Sequence, residues 1–515
     1  MNAGALLDRL AAERHDAPAI ATEGGWRGWG ELRDRVCRLV GGFRDVGVGP
    51  GDRVAVLAAN EPRYLETYLA LARLGALVVP LNTRLSPAEL EFQLRDAEAA
   101  LWLVGPALLG LAEQAAPALR RIIMAGPSDG VRGGALYEEL LASAHSVTEV
   151  VPVGADDVLG IFYTGGTTGL PKGVMLTHAG MLANAANMAP ALGYGPGDVH
   201  LHAAPMFHLA DLGTTWTALL AGVAHAFLPQ WSPEGLLAAV ERHRVTATLL
   251  APVMVTAVVR CEDIARHDLG SWRLLHYGGS PITEDTLHRA LRLLPCGLFQ
   301  GYGQTEATQS ICIMTPEEHR SASSRPERLR ACGRFVPGVE ARVADADHRA
   351  LRPGETGEVI LRGPTVMKGY WKRPAETAAA LRDGWLHTGD LGTVDDEGFV
   401  YILDRKKDMI ISGGENVYSV EVENALASHP AVLEAAVIGI PDDVWGERVH
   451  AVVVLAPGAS ATPEELQRHC RRLIGGYKIP RSVELRDALP RTSTGKIQKA
   501  VLREPHWRSQ ARLVH

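Results

Sequence analysis

Residues 158–177 read VLGIFYTGGTTGLPKGVMLT: an apolar run, a loop rich in glycine and threonine, and a second apolar run. The two apolar runs predict strands that enter and leave the loop. Glycines let several backbone N–H groups converge on an anion, and the threonine hydroxyls and Lys172 add donors and a positive charge. The loop is therefore predicted to hold a phosphate. It is not a Walker A loop, because Pro171 precedes the lysine, and Gly173 and a strand follow it instead of a helix.

Upstream of this loop, patterns typical of strands alternate with patterns typical of helices. Strands are predicted at 54–58 and 76–80, and helices at 64–74 and 87–96. Such alternation favours an α/β fold with largely buried sheets. We therefore expect a large N-terminal domain of stacked sheets and helices.

The pattern changes near residue 400, where the polar run Asp404-Arg405-Lys406-Lys407-Asp408 follows an apolar strand pattern. Next come a short strand, a turn at Gly413-Gly414, a helix that Ser419 is expected to cap, and two further strand patterns. The chain is therefore predicted to divide into three parts. These are an N-terminal domain at 1–403, a hinge at 404–408 and a small, mobile α+β C-terminal domain at 409–515.

The composition is that of a globular protein. Of 515 residues, 46% are hydrophobic and 22% are charged, which excludes a disordered or collagen-like chain. The net charge of −7 disfavours a general binder of nucleic acid or anionic membranes. The six cysteines form no CxxC motif and are expected to be free thiols. The longest apolar run, 245–259, contains Pro252 and is too short to span a bilayer. We expect a cytoplasmic protein without stable membrane insertion and without a nucleic-acid partner.

Lysine is rare in this chain, because only eight of the 52 Lys and Arg residues are lysine. If arginine is used by default, the remaining lysines are expected where a planar guanidinium does not serve. They are Lys172, Lys368, Lys372, Lys406, Lys407, Lys478, Lys496 and Lys499.

The string from Tyr163 to Gly173 resembles the phosphate-binding loop of the adenylate-forming superfamily, which includes acyl-CoA synthetases, luciferases and the adenylation domains of peptide synthetases. The usual loop has Ser where Gly165 stands. Six further motifs of the superfamily follow in order, so the resemblance covers essentially the whole chain. They are Pro205-Met206-Phe207-His208, Tyr277-Gly278-Gly279-Ser280-Pro281, Gln300-Gly301-Tyr302-Gly303-Gln304-Thr305-Glu306, Trp385-Leu386-His387-Thr388-Gly389-Asp390 and, after the hinge motif 404–408, Pro490-Arg491-Thr492-Ser493-Thr494-Gly495-Lys496.

The resemblance implies a nucleotide site. Tyr302 is expected to stack on adenine, Asp390 to accept hydrogen bonds from the ribose hydroxyls, and Arg405 to donate to ribose or phosphate oxygens. The full set of implied ATP- and AMP-binding residues is Thr164, Gly165, Gly166, Thr167, Thr168, Gly169, Lys172, Gly279, Ser280, Pro281, Tyr302, Gly303, Asp390 and Arg405.

The resemblance also implies the remaining roles. Glu306 is expected to hold Mg²⁺, because this hard ion binds carboxylates together with substrate phosphates. Lys407 corresponds to the pivot of the hinge, and Gly413 and Gly414 to the channel for coenzyme A. The implied catalytic residues are Lys496, His208, Thr305 and Glu306, and the implied acid pocket contains Phe207, Ala210 and Gly278.

The implied function is that of an ATP-dependent carboxylic acid:CoA ligase, with ATP, Mg²⁺ and coenzyme A as cofactors and an acyl-adenylate as intermediate. A medium- or long-chain fatty acid is the favoured substrate, because the implied pocket carries small residues at 210, 213, 278, 279 and 303. An aryl or arylalkanoic acid, such as a coumarate, ferulate or benzoate, is the alternative.

Three other possibilities are open. Asp211 could hold the amine of an amino acid, as in a peptide-synthetase adenylation domain. The chain could also be a catalytically silent relative that binds nucleotide. Finally, the resemblance makes a homodimer possible.

Overall fold

The computed structural model describes residues 2–126, 129, 135–164, 171–322, 325–442, 444–492 and 496–507. The strands within these residues are β1 (Pro18–Thr22), β2 (Gly25–Gly28), β3 (Arg53–Leu57), β4 (Leu77–Pro80), β5 (Leu101–Val104), β6 (Arg121–Ile123), β7 (Ala135–Leu136), β8 (Val158–Thr164), β9 (Lys172–Thr177), β10 (Val199–His202), β11 (Ala224–Phe227), β12 (Ala247–Leu250), β13 (Leu274–Gly278), β14 (Gly297–Tyr302), β15 (Cys312–Met314), β16 (Arg334–Phe335), β17 (Glu340–Ala344), β18 (Gly357–Arg362), β19 (Gly369–Tyr370), β20 (Leu381–Arg382), β21 (Trp385–Val394), β22 (Val400–Arg405), β23 (Ile410–Ser412), β24 (Glu415–Val417), β25 (Val432–Asp442), β26 (Gly446–Leu455) and β27 (Ser482–Leu485).

The α-helices of the same residues lie between these strands and after the last of them. They are α1 (Leu6–Glu13), α2 (Trp29–Asp45), α3 (Pro62–Leu74), α4 (Pro87–Asp96), α5 (Leu109–Ala115), α6 (Tyr137–Ser143), α7 (His178–Leu192), α8 (Leu209–Ala221), α9 (Pro233–His243), α10 (Pro252–Val259), α11 (Glu284–Leu293), α12 (Pro316–Ser321), α13 (Pro374–Ala380), α14 (Ser419–Ala427), α15 (Pro463–Arg471) and α16 (Lys499–Trp507).

Two large sheets carry most of the N-terminal part. In the described residues, one has the order β16-β15-β14-β13-β12-β10-β11-β1-β2 and the other β19-β9-β8-β4-β3-β5-β6-β7. Strands β10 to β14 pair in parallel, as do β3 to β6. Most of their residues are apolar and buried, as expected where helices cover a parallel sheet, and the buried polar exceptions include His200, His202 and His225. The α/β class predicted from the alternating patterns is therefore confirmed.

Two smaller sheets follow along the chain. One contains β17, β18, β20, β21 and β22, and the other contains β23 to β27. The last sheet packs with α14 and α15 around an apolar core of its own, which includes Ile410, Val422, Leu426, Val453 and Leu466. The smaller C-terminal α+β unit is thus present, whereas its mobility stays a prediction.

The elements predicted upstream of the loop agree with the structure to within two residues at each end. The helix at 64–74 begins two residues earlier, at Pro62, where proline suits a first helical position. Helix α4 begins with a capping box in which Ser86 and Glu89 exchange hydrogen bonds with each other's backbone N–H groups.

One capping prediction is wrong. Ser419 is the first residue of α14 rather than its cap, and both its backbone N–H and its hydroxyl donate to Asp404 Oδ2, at 2.5 and 2.6 Å. The carboxylate of the predicted hinge therefore takes the anionic position at the positive end of this helix.

No helix among the described residues is both long enough and apolar enough to cross a membrane. The cysteines are free thiols, and Cys261 alone of the six is not buried.

Candidate active site

Strands β8 and β9 form the antiparallel pair that carries the glycine-rich loop. Thr164 pairs with Lys172 across it, and the Thr164 hydroxyl donates to the Lys172 carbonyl at 3.4 Å. The loop residues Gly165, Gly166, Thr167, Thr168 and Gly169 lie outside the described residues. The hairpin therefore brings both ends of the predicted phosphate loop to one edge of the sheet.

Lys172 and Glu306 both contact Tyr370, a residue to which the sequence assigned no role. The Lys172 ammonium lies 5.0 Å from the centre of the Tyr370 ring, and the Tyr370 hydroxyl donates to Glu306 Oε1 at 2.9 Å. Tyr370 reaches this place because β19 pairs with the far side of β9. Thr305, next to Glu306, opens the short turn Thr305–Ala307.

Asp390 is buried where β21 and β22 pair, directly opposite Arg405. Arg405 Nε lies 3.5 Å from Asp390 Oδ1, and the Tyr302 hydroxyl donates to Asp390 Oδ2 at 2.6 Å. Burial raises the pKa of Asp390, and Arg405 and Tyr302 act against that rise. The three residues predicted to bind the nucleoside are thus brought together, and the Tyr302 hydroxyl holds the carboxylate in place.

Strands β13 and β14 present the other predicted nucleotide and acid residues. Gly278 ends β13 opposite Gly301, and Gly279, Ser280 and Pro281 follow directly in the connection to α11. Gly279 has a φ of +87° and nothing within 4 Å of the position that a Cβ would take, so this turn leaves open space beside it.

The segment at the predicted acid pocket begins helix α8. His208 is its N-cap, and its Nδ1 accepts a hydrogen bond from the Ala210 N–H at 3.1 Å. Enclosure by protein lowers the pKa of His208 to about 4, and the charge of Lys496 adds to the effect. His208 is therefore neutral at pH 7. Phe207 precedes it, half-buried against the main core.

Lys496 is brought to the same site from the C-terminal unit. Enclosure by protein lowers its pKa; Arg405 acts in the same direction, whereas the carboxylates of Asp390 and Glu306 oppose it. Its backbone N–H donates to the Thr492 hydroxyl at 3.0 Å, which closes the predicted catalytic loop. Solvent still reaches the side chain, so Lys496 lies in an open cleft among the predicted nucleotide residues.

Lys407, Gly413 and Gly414 belong to the predicted hinge and coenzyme A channel. Arg405 ends β22, and Lys407 lies in the turn that follows, where enclosure by protein and Arg405 lower its pKa. Gly413 and Gly414 form the turn between β23 and β24, and the Gly413 N–H donates to the Trp445 carbonyl at 2.8 Å. The structure therefore places Lys407 directly after β22, and Gly413 and Gly414 in the sheet of the C-terminal unit; their roles stay predictions.

Asp211 does not face a substrate amine, contrary to the amino-acid alternative. It is completely buried, and its Oδ2 lies 2.7 Å from His202 Nδ1, whose Nε2 in turn lies 2.9 Å from His225 Nδ1. Burial alone would raise the pKa of Asp211, but His202 and His200 outweigh it and hold that pKa well below the usual value. This cluster escaped the sequence analysis because β10, α8 and β11 each contribute to it.

Gln309 is a further residue that the sequence analysis missed. Its φ is +97°, rare for a residue with a side chain and a common sign of a functional site. Its side chain fills the space in front of Gly213, where a Cβ would come within 2.3 Å of Gln309 Oε1. Its backbone also excludes a side chain at 303, because a Cβ on Gly303 would lie 1.7 Å from the Gln309 carbonyl oxygen. Two of the small residues are therefore small because of protein packing.

Comparison with known proteins agrees with this arrangement. The family model described as AMP-binding enzyme matches residues 7–371, and the model described as AMP-binding enzyme C-terminal domain matches residues 421–496. A feruloyl-CoA synthase of Amycolatopsis sp. is 41% identical over 504 residues, which cover 97% of this chain and 96% of that protein. The long-chain-fatty-acid–CoA ligase FadD13 of Mycobacterium tuberculosis is 35% identical over 90% of this chain and 89% of its own length.

A solved structure extends the agreement to three dimensions. The ATP-bound crystal structure of MatB from Rhodopseudomonas palustris superposes with a TM-score of 0.87 at 33% identity, covering 99% of each chain. The chain belongs to the AMP-binding enzyme family, as an adenylate-forming acyl-CoA synthetase.

Proposed function

We propose that this ligase activates a compact aromatic carboxylic acid of the hydroxycinnamate class, with ATP and coenzyme A as its other substrates. The side chain of Gln309 carries the proposal. Its Nε2 donates to the Ala210 carbonyl and the Thr214 hydroxyl at 2.7 and 2.9 Å, and Asn184 Nδ2 donates to its Oε1 at 2.9 Å.

These three hydrogen bonds fix the Gln309 amide against α8. A side chain held in this way cannot move aside without leaving buried polar groups unpaired. It therefore closes the space that Gly213 would otherwise leave for a long acyl chain. A flat ring on a short chain suits the pocket that remains, and the relative named feruloyl-CoA synthase supports the same class.

A medium- or long-chain fatty acid is the second candidate. The open space beside Gly279 and the small side chain of Ala210 favour it, as does the relative named long-chain-fatty-acid–CoA ligase. The two candidates differ in the direction of the acyl chain, since Gln309 blocks the path along α8 but not the path beside Gly279.

In the first half-reaction, an oxygen of the acid carboxylate bonds to the α-phosphorus of ATP, and the bond from that phosphorus to the pyrophosphate oxygen breaks. Charge develops on the phosphoryl oxygens, so positioning and positive charge are the main requirements. We assign the charge to Lys172 and Lys496, a phosphate hydrogen bond to Thr305, and the hold on the ribose to Asp390 with Arg405. Tyr302 orients Asp390 and offers its ring to adenine.

Glu306 fits the Mg²⁺ that this family is expected to use. Its carboxylate lies beside Tyr370 and within electrostatic reach of Lys496, and Tyr370 donates to one of its two oxygens. An ion held there together with phosphate oxygens would supply further positive charge near the α-phosphate.

In the second half-reaction, the thiol sulfur of coenzyme A bonds to the acyl carbon, the bond from that carbon to the phosphate oxygen of AMP breaks, and the thiol proton is released to solvent. We assign the change between the two steps to rotation of the C-terminal unit about Lys407, which withdraws Lys496 and brings Gly413 and Gly414 to the thiol channel. His208, neutral at pH 7, borders the acid without adding a second positive charge.

A panel of acids tests the proposal. Acyl-CoA formation is measured with ferulate, coumarate, benzoate, octanoate and palmitate, and pyrophosphate exchange is measured with each acid to detect a silent relative. We expect the largest kcat/KM with a hydroxycinnamate. A larger kcat/KM for octanoate or palmitate would overturn the proposed acid, and no exchange with any acid would leave only nucleotide binding.

The variant Gln309→Ala links the proposal to the pocket. Removing the amide opens the space in front of Gly213, so activity with octanoate is expected to rise relative to ferulate by about tenfold, the value of one or two methylenes in an apolar pocket. Asn184→Ala is the matched control, because it releases one hydrogen bond on Gln309 but leaves the side chain in place.

A further inference from the structure

Three side chains that can bind a metal lie close together in the C-terminal unit, on the sheet of β23 to β27 and on helix α16. They are His450 on β26, Glu484 on β27 and His506 on α16, and one ligand atom of each lies within 4.8 Å of the others. Strands β26 and β27 are parallel, with His450 opposite Ser482. Because side chains alternate along a strand, Glu484 lies on the same face as Ser482.

His450 is oriented as a ligand. The side chain is 7% exposed, and its Nδ1 lies 2.7 Å from the Ser482 hydroxyl oxygen. Its Nε2 makes no hydrogen bond within the described part of the chain. A hydroxyl that accepts the Nδ1–H leaves the lone pair on Nε2, which is the arrangement found around metal-binding histidines.

Glu484 supplies the second ligand atom. Arg486 Nε donates to its Oε1 at 2.6 Å, which fixes the carboxylate with Oε2 directed at His450. Oε2 lies 3.6 Å from His450 Nε2. Two ligands of a tetrahedral zinc ion, each about 2.0–2.1 Å from it, are roughly 3.4 Å apart. The separation is therefore too long for a hydrogen bond and close to what a shared ion needs.

His506 is held in place by the packing of two other residues of α16, one before it and one after it. Leu502, one turn earlier, is buried in a small core with Ile438 and Val452, and Trp507 Nε1 donates to the Gly439 carbonyl at 3.1 Å. The ring centres of His506 and His450 are 5.2 Å apart. Glu484 and His506 are half-buried, so solvent and ions can reach the cluster.

We propose that His450, Glu484 and His506 bind one Zn²⁺ ion, with water as the fourth ligand. Two imidazoles and one carboxylate suit zinc better than Mg²⁺, which prefers oxygen ligands. The ion would join α16 to the sheet. Because α16 begins three residues after Lys496, zinc would also steady the end of the catalytic loop. The positive charges of Arg448, near His450, and of Arg486, which donates to Glu484, reduce the affinity for a cation.

Titration of metal-free, tag-free protein with ZnCl₂ tests the site by calorimetry and by thermal unfolding. We expect one ion per chain and a melting temperature that rises with zinc concentration. Co²⁺ in place of zinc should give the visible bands of a tetrahedral ion. Glu484→Gln and His506→Phe are each expected to weaken binding by at least about tenfold, since even residues that only orient ligands contribute that much.

His469→Phe is the matched control. It removes a histidine of another close pair on the same unit, His429 and His469, and is expected to leave zinc binding unchanged. Glu484→Gln preserves shape, so its effect is separable from misfolding by the unchanged melting temperature of its metal-free form. Absence of saturable one-to-one binding in the unaltered protein, or equal binding in Glu484→Gln, would overturn the proposal.

Discussion

Three lysines outside the candidate site form ion pairs of 2.7 Å with glutamates: Lys372 with Glu98, Lys478 with Glu421 and Lys499 with Glu423. Arginine could serve in such pairs, so the scarcity of lysine does not by itself mark catalysis. Lys496 differs, because it stands close to Arg405 and to the carboxylates of Asp390 and Glu306 without filling the cleft. A compact ammonium leaves room there for phosphate and acid oxygens, whereas a guanidinium is larger and planar.

The variant Lys496→Arg tests that argument, with Lys496→Ala as the reference. Each is expected to slow pyrophosphate exchange by about 10²–10³, the usual loss when one group that stabilises the developing charge is removed. Formation of acyl-CoA from pre-made acyl-AMP is expected to stay near normal, because we assign Lys496 to the first step alone. Equal losses in both assays would contradict the assignment.

Tyr302→Phe tests the nucleoside side of the site. Without the hydroxyl, buried Asp390 loses a hydrogen bond of 2.6 Å, and a bond to a charged group contributes about 1.5–3 kcal/mol. The KM for ATP is expected to rise by about tenfold or more, while the aromatic face remains for adenine. Tyr401→Phe, which removes a hydroxyl bonded to Asp395, is the control. An unchanged KM for ATP would show that Tyr302 does not hold Asp390 for the ribose.

The sequence could predict those parts of the candidate site that lie in short, continuous motifs. Motifs such as Gln300 to Glu306 carry their residues in one short segment, so the order of the chain locates them. The contacts made by Gln309, Tyr370 and the His202–Asp211 pair join residues 9 to 125 positions apart, and no local pattern encodes them. The small residues of the predicted acid pocket indicated too much space for the same reason, because Gln309 fills the space that Gly213 appeared to leave.

At the scale of elements, strand β22 and helix α8 carry the greatest consequences. β22 ends at Arg405, and the turn containing Lys407 follows at once. Helix α8 begins at the predicted acid pocket, and its first turn carries the buried Asp211. Strand β22 therefore links the predicted nucleotide site to the C-terminal unit, and helix α8 links the predicted acid pocket to the core.

Lys407→Pro tests the turn as a hinge. Proline fixes φ near −65°, which removes one of the rotations that a change between two domain positions needs. Pyrophosphate exchange is expected to persist, because the present arrangement already brings Lys496 to the nucleotide residues. Overall acyl-CoA formation is expected to fall by at least about tenfold, as for other hinge positions. Full turnover in this variant would contradict the hinge.

Asp211→Ala tests the buried cluster beneath α8. The change leaves His202 and His225 without their carboxylate, and breaking a buried pair costs about 3–5 kcal/mol. Urea unfolding measures the loss. Asp347→Ala is the control, since its exposed pair with Arg349 predicts a change within about 0.5 kcal/mol. A loss below about 1 kcal/mol would show that the cluster does not stabilise the fold.

At the scale of the whole molecule, buried histidines govern the response to pH. Burial lowers the pKa of His178, His208 and His319 to about 4 and that of His276 to about 3. The unfolded chain binds these protons below about pH 6.5, whereas the folded chain does so only near pH 4, so stability falls as pH drops through this window. Glu61, whose pKa burial raises to about 7, acts in the opposite direction and offsets about one histidine.

The urea midpoint measured from pH 7 to pH 4.5 tests this balance. It is expected to fall steadily, with a slope in unfolding free energy of up to about 1.4 kcal/mol per pH unit for each proton not offset. Replacing His319 by Gln is expected to reduce this slope by up to about 1.4 kcal/mol per pH unit, the value for one proton. Replacing the exposed His15 by Gln is expected to leave the slope unchanged. A midpoint that is constant over this range would contradict the argument.

Asp390 and Arg405 lie opposite each other on β21 and β22, and Lys407 lies two residues beyond Arg405 in the turn that follows. If the C-terminal unit turns about Lys407, as proposed above, a nucleoside that binds Arg405 would act on the same short segment. We therefore expect nucleotide binding and the position of the C-terminal unit to be coupled.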